Sequence, residues 1–318
     1  MLKMLHNTIK CLTIAFISVH IPSFAQQLEF NKSKQNKEMS FNYTWSDHME
    51  QDRDLAFTLL LRQINRQKHK KFMPSLARQY VYIELHKAAR KVDPREARVQ
   101  IEHRGQDIHI EVTSRSNNLF AKWQRSMNKS KEKALDRYLH DHYYSHFRSH
   151  LGQEAIKPDH LRYISENQGA LRPISQAVYD KLPTNSDTRA YVNLVLSWVQ
   201  SIPYSKLQSR LTSNGTGYLP PLSVVANNQG DCDSKTVLMA SLIRSLLPDV
   251  KMTMVFLPNH ALLGIVLPFR ITEQTLDIGG MDYLLMEPTG PAKIPLGEIA
   301  NQSAIHIANN MYSLEEIP

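Results

Sequence analysis

Cysteine is the scarcest chemistry-bearing residue of this chain, with two positions in 318, Cys11 and Cys232. That number excludes a disulfide scaffold, and one Cys among scattered histidines does not make a zinc site. No Gly-rich phosphate loop is present, so nothing signals a nucleotide, flavin or haem, and no cofactor is expected. No apolar run reaches the ~20 residues of a spanning helix. Internal repeats and low-complexity tracts are also missing, which removes solenoid and collagen-like architectures. What remains is 42% hydrophobic and 21% charged residues, the balance of a globular chain with one large core or two modest ones.

The first residues read as a leader. Lys3 and Lys10 precede the apolar run Leu12 to Ile21, and Pro22 then leads to Ser23-Phe24-Ala25. This order predicts a secretory signal cleaved after Ala25, hence a periplasmic or secreted protein without stable membrane insertion. Cys11 precedes most of the apolar run, which does not suit a lipid anchor. Cleavage would leave Cys232 alone, and an unpaired thiol outside the cytoplasm is either buried or used. The net charge of +8 becomes +6 without the two leader lysines. These charges read as scattered, a solvated basic surface with no nucleic-acid patch.

Along the chain, residues 26–37 read as loose and Met39 to Trp45 as a short strand. Leu55, Leu59, Leu60 and Ile64 predict a helix over Asp52 to Gln67, and Leu76, Tyr80, Ile83 and Ala88 predict one over Ser75 to Lys91. Alternation about Arg104-Gly105-Gln106 predicts a hairpin. Leu119 to His150 reads as one long helix, on which His142, His146 and His150 would stack. A solvated face is the preferred reading of that stack over a metal site. Two short helices are expected at Pro158 to Glu166 and Pro173 to Leu182, then one from Asn185-Ser186-Asp187 to Gln200, and an exposed loop from Tyr204 to Pro221. Composition shifts near Thr184, giving an expected division into 1–25, 26–184 and 185–318.

The chemistry concentrates after that point. Gly230-Asp231-Cys232 leads into an apolar helix, Thr236 to Leu247, with Asp231 as the expected N-cap. Cys232 would sit in the first turn, where unpaired N–H groups and the helix dipole favour a thiolate and can hold an oxyanion. Asp231 and Asp233 oppose this, because negative neighbours raise a thiol's pKa. The site therefore needs a histidine. Lys251 to Leu257 alternates as a strand, Pro258-Asn259 turns, and His260 opens a second strand. Tyr283 to Met286 forms a third, ending at Glu287-Pro288-Thr289, where Glu287 can hold the far side of His260. Trp198 and Tyr204 read as packing, Asn227, Asn228 and Gln229 as turn residues, and Tyr218 as a guess for a groove wall.

Gly230-Asp231-Cys232, Asn259-His260-Ala261 and Glu287-Pro288-Thr289, in that order, resemble the core of transglutaminase-like proteins, as does the Ile202-Pro203-Tyr204 lead-in. The resemblance covers roughly Asp187 to Gly290. For that part it implies a papain-like core whose nucleophile helix packs on an antiparallel sheet; with the helical N-terminal region and β-hairpin read from the residue spacing, the expected fold is α+β. The resemblance carries the Cys-His-Asp triad onto Cys232, His260 and Glu287. Glu replaces the commoner Asp, and the interval after His260 is long, so Asp277 and Asp282 remain competing third members. A cysteine peptidase or amidase acting on a peptide or protein amide is implied, with transamidation as a variant. The alternative is a non-catalytic binding protein of the cell envelope. The resemblance says nothing of the region 26–184, and an inhibitory or substrate-recruiting role is open to it.

Overall fold

The computed structural model describes residues 26–66, 69–208 and 217–318, so the expected leader and Cys11 lie outside the described residues. The described chain is α+β. Strands β1 (Gln26–Gln35), β2 (Glu38–Ser46) and β3 (Asp52–Leu60) form an antiparallel sheet. A short helix α1 (Leu61–Ile64) leads to α2 (Pro74–Ala89), the hairpin β4 (Arg98–Arg104) and β5 (Asp107–Thr113), and helix α3 (Asn117–Asp141). A second hairpin, β6 (Tyr144–Arg148) and β7 (Glu154–Pro158), precedes α4 (His160–Tyr179) and α5 (Thr188–Ser201). Then come α6 (Pro221–Asn227), α7 (Cys232–Leu246), β8 (Met252–Leu257), β9 (His260–Ile265), β10 (Thr275–Ile278), β11 (Met281–Met286), α8 (Asn301–Ala308) and β12 (Ser313–Ile317). The last five strands make an antiparallel sheet in the order β10-β11-β9-β8-β12.

Helix α7 is the axis of the main core. Leu238, Met239, Leu242 and Ile243 are fully buried, and the small Ala240 and Ser241 let neighbours approach closely. On one side lie Met254, Leu263, Leu284 and Met286 of the sheet; on another lie Leu171 and Ile174 of α4 and Val195 and Trp198 of α5. Residues on both sides of Thr184 fill this core, since Phe41, Tyr43, Trp45 and Phe57 of β2 and β3 also belong to it. Trp198 meets Tyr43 edge-on at 5.3 Å and Phe57 at 5.9 Å, and Trp45 Nε1 donates to Ser197 Oγ at 3.0 Å. A separate smaller core joins α2, β4, β5 and α3 through Leu85, Ile101, Ile108, Val112 and Met127.

Several expectations are corrected. The first region holds more strand than expected: residues 26–35 form β1, and Asp52 to Leu60 is a strand, with the helix confined to Leu61–Ile64. Leu55 and Leu59 fit helical spacing, but Phe57 completes a period of two that buries Leu55, Phe57 and Leu59 between exposed Ala56 and Thr58. The long helix stops at Asp141. Tyr143 adopts a left-handed backbone (φ 60°) and the chain enters the β6–β7 hairpin. No glycine marks that stop, so the sequence hides it. The two short helices are one, α4, with Pro173 inside it. Pro173 has no N–H for the Gly169 carbonyl, yet the buried stripe Tyr163, Ile164, Leu171, Ile174 and Val178 keeps the helix continuous. The expected loop from Tyr204 to Pro221 is partly outside the described residues. Of the rest, Leu207, Tyr218 and Leu219 are buried, and Pro221 opens α6.

Replacing Trp198 with Ala removes the ring that joins the first sheet to α5. Urea denaturation should show a loss of about 3–5 kcal/mol; a loss below 1 kcal/mol contradicts this packing.

Candidate active site

Three local features set the position of Cys232. Gly230 N–H donates to the Pro203 carbonyl at 3.2 Å and the Gly230 carbonyl accepts from Ser205 N–H at 3.0 Å. A Cβ on Gly230 would lie 2.9 Å from Lys235 Cγ, so glycine is required by close approach. Asp231 then caps α7, accepting from Ser234 N–H at 3.0 Å, and Cys232 is the first helical residue. The preceding segment is held from the other side, because Asn228 and Gln27 exchange side-chain hydrogen bonds of 2.9 and 2.6 Å.

His260 is placed by a two-residue turn. Leu257 pairs with His260; between them Pro258 fixes a negative φ and Asn259 has φ 62°, the combination of a type II turn. On the next strand Met286 pairs with Leu263. Continuing that register sets Glu287 opposite Leu262, which shares a face with His260. The side chains meet: His260 Nε2 lies 3.0 Å from Glu287 Oε1. Glu287 also accepts from Ser303 Oγ and, at 2.9 Å, from Ala300 N–H. Burial alone would raise the Glu287 carboxyl, but these three hydrogen bonds outweigh it and hold its pKa below the ordinary value. An ionised Glu287 makes Nε2 the donor and leaves Nδ1 as the basic nitrogen. Asp277 and Asp282 sit opposite each other on β10 and β11, and of the three acids Glu287 is the one bonded to His260 among the described residues.

Cys232 and His260 line one cleft of about 910 Å³. Its walls are the β6–β7 hairpin, with Phe147, Leu151 and Lys157, the segment around Tyr204, and the β8–β9 turn. A second cavity of about 440 Å³ shares Pro258, Asn259 and His260 with it and has Glu287 and Ser303 in its lining. Tyr218 does not line the cleft; it is buried against the rings of His69, His160 and Tyr163. Tyr204, expected as packing, is half exposed in the cleft wall. The three histidines of the expected long helix separate: His142 follows the end of α3, His146 pairs with Asp136 on the hairpin, and His150 lines the cleft. Among the described residues no cluster of three His, Cys, Asp or Glu is placed to hold a metal.

The thiol is not a preformed thiolate. Burial raises its pKa, the Asp233 and Asp231 charges raise it further, and Sγ donates to Asp233 Oδ1 at 3.6 Å. Burial and the Asp233 charge also lift the Asp231 carboxyl to about 7. Behind Asp233 lies His160, fully buried, its Nε2 3.9 Å from Asp233 Oδ2. Burial, with Lys157 beside it, pushes that imidazole well below its usual pKa, so it is neutral. The carboxylates therefore outweigh the helix start in the resting state.

Sequence reasoning missed Lys235. Fully buried one turn after Cys232, its ammonium donates to the carbonyls of Gln200 (3.3 Å), Ile202 (2.7 Å) and Thr289. Gln200 Nε2 in turn donates to the Glu287 carbonyl at 2.9 Å. The readable signal was a lysine on the apolar face of a helix. The opposing effect of Asp233 on the thiol was expected from its position next to Cys232, whereas His160 and Ser303 left no such mark. No family model, curated protein or solved structure matches this chain.

Two variants test this geometry. Asp233→Asn removes both a charge and the anionic acceptor that favour S–H, so iodoacetamide should alkylate Cys232 faster at pH 7, about tenfold for each unit the alkylation midpoint moves down. An unchanged or slower rate contradicts the electrostatic account. Lys235→Met strands three buried carbonyls and should cost about 3 kcal/mol or more in urea unfolding; a neutral effect rules out the clamp.

Proposed function

We propose that this protein is a cysteine acyl-transfer enzyme of transglutaminase-like type, most simply a peptidase or amidase. The observation that carries the reading is the His260–Glu287 hydrogen bond of 3.0 Å at the edge of the cleft that Cys232 also lines. In the proposed sequence the Cys232 proton passes to His260 Nδ1 as Sγ bonds to an amide carbonyl carbon. First-turn N–H groups of α7 hold the oxyanion. Collapse breaks the C–N bond, His260 returns the proton to the leaving amine, and a thioester remains. Water, deprotonated by His260, releases a carboxylic acid and restores the thiol; an amine in its place gives transamidation. Because the thiol rests protonated on Asp233, proton transfer accompanies attack rather than preceding it.

The substrate class is a peptide or protein amide, with the β6–β7 hairpin of the first region recruiting it at the cleft wall. The leader pattern supports a periplasmic or secreted location, and among the described residues no helix is long and apolar enough to cross a membrane. A second reading, a non-catalytic binding protein with the same fold, is favoured by the raised thiol pKa.

Labelling kinetics separate the two. Cys232 is the sole cysteine of residues 26–318, so iodoacetamide reports it alone. The enzyme reading predicts that His260→Ala slows labelling at pH 7 at least tenfold and that Glu287→Gln has a smaller effect. It also predicts that Cys232→Ala abolishes turnover of a peptide amide library. Labelling indifferent to His260, or full turnover without Cys232, favours the binding reading.

A further inference from the structure

The charges that look dispersed along the sequence gather in the fold. Residues 74–141, the unit with its own core of α2, β4, β5 and α3, hold fourteen Lys and Arg against nine Asp and Glu, a net of +5. Residues 26–318 as a whole carry +6, the total of +8 less Lys3 and Lys10. Nearly all the surplus therefore sits on one small unit.

Within it, a groove of about 450 Å³ runs between α2 and α3. Lys87 and Lys91 come from the α2 side, and Lys133 and Arg137, four residues apart, from α3. The groove contains one carboxylate, Glu84, which is 2.7 Å from Lys87 Nζ and 4.0 Å from Arg137. Lys91 and Lys133 have no carboxylate partner among the described residues and are exposed. The floor adds the hydroxyls of Ser126 and Ser130, again four apart on α3. At one end stands the ring of Trp123, pinned by a 2.8 Å hydrogen bond from Nε1 to Glu96, with Lys122 Nζ 4.6 Å from the ring centroid.

We propose that this groove binds a linear anionic polysaccharide. Each feature selects that class. Unneutralised cations on both walls call for an anion, and the run from Trp123 to Arg137 is about 21 Å of helix, too long for a single phosphate and suited to charges repeated along a chain. The Ser126 hydroxyl can donate to a sulfate or phosphate oxygen, while Ser130 Oγ, whose proton goes to the Ser126 carbonyl at 2.9 Å, can accept from a sugar hydroxyl. An aromatic face at the end of the groove packs on the C–H face of a sugar ring. A flat bilayer surface cannot enter a concave groove between two helices.

The test uses the full chain and dextran sulfate at 0.15 M salt, with neutral dextran as control. Trp45 and Trp198 are buried at 1% and 0% exposure, so emission changes on binding report Trp123. Dextran sulfate should shift the emission of the unaltered protein, and Trp123→Phe should abolish the shift. The double variant Lys91→Glu with Lys133→Glu should weaken binding at least tenfold. The pair Lys34→Glu with Lys37→Glu, the same charge change in the first sheet, should weaken it less than twofold. The proposal is overturned by equal losses in the two pairs, by no binding to dextran sulfate, or by groove-dependent binding that is tighter to phosphatidylglycerol vesicles or duplex DNA at equal charge.

Discussion

A single ammonium group ties the candidate site together. Lys235 is buried inside the helix that begins with Cys232, where burial pushes its pKa down to about 7. Its three protons match three carbonyls from three different segments: the end of α5, the turn after it, and the residue two beyond Glu287. Removing one partner of such an arrangement exposes the full desolvation cost of the others. The close fit around Gly230 and Gly290 follows from the same packing, since a Cβ on Gly290 would lie 2.2 Å from the Gln200 carbonyl oxygen. The helix that begins with Cys232 and the strand end that carries Glu287 are thus joined through backbone carbonyls rather than through Cys232, His260 or Glu287 side chains.

That separation of duties leaves the reactive groups free to be tuned. His260 and Glu287 are already paired, with Glu287 fixed by Ser303 and the Ala300 N–H. The thiol has its proton on the other side, toward Asp233, with neutral His160 behind. The proposed reaction would require the S–H to leave Asp233. The contrast with a thiolate–imidazolium pair lies in burial and two adjacent carboxylates, which together exceed what one helix start supplies.

Much of the site was legible because short-range chemistry writes it. Asp231 caps the helix, Pro258-Asn259 makes the turn, and Glu287 ends its strand where the alternation stops. The first region was less legible, because its signals are ambiguous or absent. Leu55 and Leu59 suit either period, Tyr143 turns the chain without a glycine, and Pro173 sits in a helix that tertiary burial keeps whole. The effect of Asp233 on the adjacent thiol could be read from the sequence, but the role of Lys235 depends on carbonyls that packing brings together. The basic groove was hidden for a similar reason: α2 and α3 place cations 42 or more positions apart side by side.

The proposed mechanism requires that Glu287 hold His260 as the Nε2–H tautomer, so that Nδ1 is the nitrogen left to take the Cys232 proton. Nitrogen NMR of histidine-labelled protein measures this directly. The account predicts that the neutral imidazole of His260 carries its proton on Nε2, that this preference is lost in Glu287→Gln, and that Nδ1 shifts when Cys232 is alkylated. A His260 that carries its proton on Nδ1, or whose Nδ1 resonance ignores alkylation of Cys232, contradicts it.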